Sequence, residues 1–337
     1  MKILLTLDYE LFLGSRTGSV EHCLIEPMEH LQKAVDTVGA KFTIFVDATY
    51  LLRARQLSIG HKQLTADVEQ ITNHIKQLDA AGHDVQLHIH PHWAYSTYDN
   101  GEWRLDHDHY KLCDLEPETA CQLTAQAKAL LDETIGHSTR AFRAGGFSAQ
   151  PTSLLRQVFE RNALVADSTV CPGTSYNSNQ QRYDYTKVST KSDIYQFGDD
   201  ICQPQSNGPF IEVPISMYEV SPIFHWRLAF NRVADRLVKL PNHHTYGDGI
   251  SVKTAGESIV ARLTSRQNCQ ATIDGLKIAF LDDALRSAKQ MGKNLFTVLG
   301  HPKLATPYSV ERLASFVKRA ADNGDTFITI SQLIDKQ

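Results

Sequence analysis

The chain has no Cys-x-x-Cys pair, no glycine-rich phosphate-loop frame, no run of Lys and Arg, and no long apolar stretch. Each absence removes a class of function. Cysteines 23, 113, 121, 171, 202 and 269 are scattered over 337 residues, which reads as free thiols in a reducing compartment and not as a disulfide framework. Gly145-Gly146 stands alone, so no nucleotide cofactor is expected. A formal charge of −4 without basic clusters speaks against nucleic acid or an anionic membrane surface as partner. No run reaches the roughly 18–20 apolar residues of a membrane span. The apolar run Ile3–Leu7 near the N-terminus is too short for a secretory leader. A cytoplasmic protein without a transmembrane segment is expected.

What is present looks like a soluble α/β protein, with 42% hydrophobic and 21% charged residues. Short apolar runs at Ile3–Leu7, Phe42–Val46, Asp84–Ile89, Ala141–Arg143, Leu164–Ala166, Phe210–Pro214, Leu295–Leu299 and Phe327–Ile330 read as strands. Between them, apolar residues spaced three and four apart predict helices over Met28–Val38, Ala66–Ala80, Pro117–Ile135, Thr152–Arg161, Ile273–Met291 and Ser309–Asp322. Strand-then-helix alternation implies parallel pairing through helical crossovers. The expected fold is a deformed (β/α) barrel of about seven parallel strands, one domain spanning residues 1–337. Polar stretches at about 171–208 and 225–264 interrupt the rhythm and are expected as long loops that form a cleft.

Within Gly82–Trp93 the chain places His88, His90 and His92 at the end of an apolar run. Imidazole is the commonest protein ligand for a divalent transition metal, and three in five residues are hard to explain by packing. On an extended backbone the three would face one side; if a helix starts after His88, His88 and His92 can still meet at one ion. Other polar residues also gather at strand carboxyl ends: Asp8 and Glu10, Asp47, Arg143, Asp167 and His301. In a barrel of parallel strands those ends share the face that carries the active site. Asp47 lines a pocket or caps a helix, the cap being the expectation. Asp106-His107-Asp108-His109 is expected as a solvated loop and not as a second metal site.

These fragments resemble the polysaccharide deacetylases of carbohydrate esterase family 4. Thr6-Leu7-Asp8-Tyr9-Glu10, Gly82-His83-Asp84 through His92, Phe142–Phe147, Leu164–Ser168 and Val298–Pro302 look like the family's five motifs, in order. The chain departs from the pattern where the family's second acidic residue is Tyr9; Glu10 is the expected substitute. The resemblance implies a divalent metal, zinc first with Ni, Co or Mn compatible, held by Glu10, His88 and His92, with His90 competing for the second imidazole position. It also implies Asp8 as general base, Arg143 orienting it, His301 as general acid and Asp167 orienting His301. The implied reaction is removal of an acetyl group, N-deacetylation favoured, from an acetylated sugar or a polysaccharide or lipopolysaccharide precursor. Alternatives are another small amide or cyclic ureide on the same barrel, or a carbohydrate-binding barrel that has lost turnover. Oligomeric state is not legible.

Overall fold

The computed structural model of the protein describes residues 1–224, 226, 230, 241–251 and 264–336. Its main sheet contains strands β1 (Lys2–Tyr9), β2 (Phe42–Asp47), β3 (Asp84–Ile89), β4 (Ala141–Ala144), β5 (Ala166–Asp167), β6 (Tyr195–Phe197), β7 (Phe210–Glu212), β8 (Leu295–Gly300) and β9 (Thr326–Phe327). Their order is β6-β7-β5-β4-β3-β2-β1-β8, with β9 also pairing β1. Every pairing in it is parallel except β6 with β7. β2 and β8 are buried along their whole length, which is why they read as unbroken apolar runs instead of alternating ones.

Helices α1 (Glu26–Asp36), α2 (Ala48–Leu57), α3 (Lys62–Ala80), α4 (Pro117–Ile135), α5 (Thr152–Asn162), α6 (Leu281–Gln290) and α7 (Pro307–Asp322) make most of the crossovers. α2 was foreseen only through its cap and without bounds, because it starts directly at the end of β2 with no intervening breaker. Asp47 ends the strand and caps the helix, its Oδ1 accepting from the Tyr50 amide at 3.2 Å. The expected helix over 273–291 is a 3₁₀ segment, Gly275–Phe280, running into α6. The expected strand Phe327–Ile330 stops at Phe327, because Thr329 and Gln332 form a capping box that begins a short helix at Ile330.

The sheet curls until its two sides meet across one segment. After β7, the Val213 amide donates to Asp167 O at 2.8 Å and the Ile215 amide to Val170 O at 2.9 Å. One residue on, the Ser216 amide donates to Thr297 O at 3.0 Å, and Thr297 N donates to Ser216 Oγ at 2.9 Å. The chain then leaves through Met217–Val220, which pairs antiparallel with Gln267–Gln270, and returns along β8. The Ala271 amide bonds Ser216 O, the Leu299 amide bonds Ala271 O, and the Ile273 amide bonds Leu299 O, at 2.8–3.0 Å. Gly300 permits this approach, since a Cβ there would lie 2.4 Å from Ile273 Cγ1. Of the two expected excursions, 171–208 holds the hairpin Ser175–Asn177/Arg182–Asp184 and β6. The second, 225–264, falls largely outside the described residues.

Candidate active site

Sheet register decides which polar residues meet. Asp47 lies beside His88, and His88 beside Arg143. Tyr9, Val46, Leu87, Phe142, Asp167 and Glu212 form a neighbouring rung, and successive residues of a strand point to opposite faces. That rung looks toward the helices: Tyr9 Oη lies 2.9 Å from His74 Nδ1 on α3, and Phe142 packs edge-on against Phe159 of α5. Asp8, His88 and Arg143 therefore look into the barrel mouth, and Tyr9 and Asp167 do not.

Arg143 is fully buried yet well supplied with acceptors. Its Nη1 donates to Asp8 Oδ1 at 2.6 Å, Nη2 to Thr6 Oγ1 and Ser168 Oγ at 2.9 Å, and Nε to Ser168 O at 2.7 Å. The guanidinium also rests over the Phe45 ring, 4.2 Å from its centroid. A buried cation is tolerable only with this degree of pairing. It fixes one oxygen of Asp8 and leaves Oδ2 turned toward His301 Nε2, 3.7 Å away.

The partner of His301 is Asp274, not Asp167. His301 Nδ1 lies 2.9 Å from Asp274 Oδ2, and the His301 amide donates to Asp274 Oδ1 at 2.9 Å. Burial alone would lower the pKa of His301; Asp274, with Asp8 and Glu10 beyond it, outweighs burial and raises it. Asp274 is delivered by the returning segment 271–273 at the end of β8. No motif marked it in the sequence, where it fell in the first turn of an expected helix. Asp167 instead accepts from Thr169 N and Oγ1, both at 2.8 Å, on the far face of the sheet. Beside it, burial first and the Asp167 charge second push Glu212 well above the usual carboxyl range, so that Glu212 holds the proton of the pair.

Glu10, His88 and His90 bring three buried donor atoms within 4.8 Å of one another. His88 Nδ1 sits 2.8 Å from the Arg143 carbonyl oxygen, which can only accept, so Nδ1 carries a proton and Nε2 is the nitrogen left to face a metal. That is the ring orientation a metal ligand needs. Glu10 Oε2 lies 3.5 Å from His88 Nε2 and 2.6 Å from His90 Nε2, buried and without an aligned hydrogen bond. One carboxylate oxygen set between two imidazoles suits a divalent transition metal. The other oxygen, Oε1, accepts from Lys303 Nζ at 2.9 Å. Burial opposes ionisation of Glu10, but Lys303 and His90 hold it well below the usual carboxylate range.

His90, not His92, joins His88 and Glu10 because the backbone is still extended at residue 90 (φ −118°, ψ 95°), so residues 88 and 90 share a side. Pro91 then opens a 3₁₀ turn, Pro91–Tyr95, that carries His92 onto Tyr110, the rings stacked with centroids 4.9 Å apart. Burial keeps His92 neutral. Gly145 seats the His90 ring, since a Cβ there would fall 2.5 Å from Nδ1. Asp47 Oδ2 accepts from Trp93 Nε1 at 2.7 Å, adding a strut to its helix cap. Asp106 Oδ1 accepts from the amides of Asp108 and His109, a turn closed on itself.

Two grooves lie on either side of the 175–184 hairpin, of about 750 and 510 Å³. Gln150, Tyr176 and Tyr183 line the first, His107 and Lys111 the second, and both share Arg182. None of Asp8, Glu10, His88, His90, Arg143 and His301 lines either groove.

No protein-family model matches the chain, and no curated protein does. Solved structures do. A Mycobacterium smegmatis protein assigned as a polysaccharide deacetylase aligns over 99% of this chain and 89% of its own, at 13% identity and a TM-score of 0.52. A counterpart so assigned from Pseudomonas aeruginosa PAO1 aligns over 98% and 88%, at 12% identity and 0.51. An allantoinase aligns over 97% and 86%, at 12% identity and 0.50. The chain has the same deformed-barrel fold as these structures.

Proposed function

We propose that the protein is a metal-dependent hydrolase that removes an acetyl group from an acetylated sugar or glycan precursor, with N-acetyl groups favoured. The observation that carries this reading is the position of His301 Nε2, 3.7 Å from both Asp8 Oδ2 and Glu10 Oε1. A general base, a general acid and a metal-type donor set thereby surround one small volume.

Glu10, His88 and His90 would hold a divalent ion, zinc first among the candidates. Such an ion supplies an acidified water and polarisation of the acyl oxygen. Asp8, aligned by Arg143, takes the proton from the attacking water through the oxygen that Arg143 leaves free. His301, its imidazolium favoured by Asp274, gives a proton to the departing nitrogen. An amide needs that step, because an unprotonated amine is a very poor leaving group. His92 stays outside this set, as does Asp167. Six free cysteines suit a reducing compartment, hence a cytoplasmic precursor. Among the described residues no helix is long and apolar enough to cross a membrane.

Elemental analysis of purified protein, with acetate release from N-acetylated sugars measured before and after chelation, tests the reading. One divalent ion per chain is expected, with release that stops on chelation and returns with zinc. Metal-free protein, together with undiminished release by His88→Ala, would overturn it.

A further inference from the structure

Glu10 has two oxygens, and the structure treats them differently. Oε2 faces the His88 and His90 rings, whereas Oε1 is engaged by Lys303 Nζ at 2.9 Å. The same ammonium donates to the Leu11 carbonyl at 2.7 Å and lies 5.2 Å from the Phe12 ring centroid. Lys303 is itself buried, so these are fixed contacts and not those of a solvated lysine sampling the surface. One ammonium thus grips three consecutive residues, 10 to 12, immediately past the end of β1. Those residues need a grip. β1 ends at Tyr9, so no strand pairing sets the direction of Glu10.

We infer that Lys303 is a positioning residue that restricts Glu10 to one-oxygen ligation and holds it at the imidazole pair. The inference rests on the metal reading of Glu10, His88 and His90, and it yields a prediction of definite sign. A lysine that merely sat near the site would repel a cation, and its removal would tighten metal binding. A lysine that orients the ligand does the reverse. Its removal leaves Glu10 free to turn, to chelate through both oxygens or to swing to His301 Nε2, 3.7 Å from Oε1. Residues that orient a metal ligand typically contribute 10–100-fold in affinity.

The test measures zinc affinity by competition with a chromophoric chelator, and the visible absorption of the cobalt-loaded protein, whose intensity falls as coordination number rises. Wild type, Lys303→Met and Lys303→Gln are compared, with melting of each metal-free protein as a check on folding. Lys303→Met is expected to lose about 10-fold in zinc affinity and to show a weaker cobalt band. Lys303→Gln, which keeps an N–H donor without the charge, is expected to fall between it and wild type. Equal or tighter binding by both variants overturns the inference, as does a metal-free melting temperature that collapses in both, which would make Lys303 a folding residue. Absence of binding by the wild type would instead overturn the metal site.

Discussion

Asp274 holds His301 at two points, one oxygen 2.9 Å from Nδ1 and the other accepting from its backbone amide at 2.9 Å. The imidazole is therefore fixed in ring orientation and in tautomer, with Nε2 turned to Asp8. Asp274→Asn keeps the backbone bond and removes the charge. Its turnover of an N-acetyl sugar is expected to fall about 100-fold, the lower end for a general acid–base group, with bound metal unchanged. An acetyl ester with a good leaving group loses less, because it does not depend on the proton. Parallel rates on the two substrates check this.

Removal of single imidazoles separates the histidine triplet. His88→Ala and His90→Ala are expected to lose the bound ion, each deleting one donor of three, whereas His92→Ala keeps it. Metal content by elemental analysis after gel filtration decides, and equal metal in all three variants would rule out this donor set.

Two buried histidines give stability a pH dependence. Burial lowers His74 and His83 to about 4. The Nδ1 of His83 accepts from the Phe42 amide at 3.0 Å, and that of His74 pairs with Tyr9 Oη at 2.9 Å. Unfolded, both titrate near 6.5. Between those values the unfolded chain takes up protons that the folded one refuses. Their contribution is thus complete above pH 6.5 and lost as pH falls toward 4, by up to about 1.4 kcal/mol per pH unit for each group. Urea denaturation at pH 7.0, 5.5 and 4.5 reads the slope. His74→Gln, which still accepts from Tyr9 and cannot titrate, should flatten it.

Glu212 works in the opposite direction. Its folded pKa is raised by burial and by Asp167, so its contribution is full below about 4.3 and declines as pH climbs through the raised value. Glu212→Gln keeps a donor toward Asp167 and removes the titration. The variant is expected to come closest to wild type near pH 4 and to exceed it in denaturation midpoint at pH 8.

Much of the barrel was legible because its strands are buried on both faces and its helices keep a clean period. β3 and α4 fall where the apolar pattern put them. α2 was legible only through its cap, Asp47, which is also the last residue of a strand. In the site, the structure brings Asp8, Glu10, His88, His90, Arg143 and His301 together. Asp167 was misassigned by one rung: a residue at a strand end looks like a site residue, but period-two alternation turns it to the other face. Asp274 and Lys303 had no local signature, since each is brought to the site by tertiary pairing.

The stalk formed by Met217–Val220 and Gln267–Gln270 has both feet tied to β8, through Ser216 on Thr297 and Ala271 on Leu299. Whatever chain lies beyond residue 220 departs from and comes back to an anchored pair of neighbours. Part of that chain comes back to the barrel before the stalk closes, the Tyr246 amide donating to Ala305 O at 3.0 Å and the Ile250 amide to Arg16 O at 2.8 Å. A graft made at the stalk has to keep those two returns, because they run beside Phe12 and Lys303.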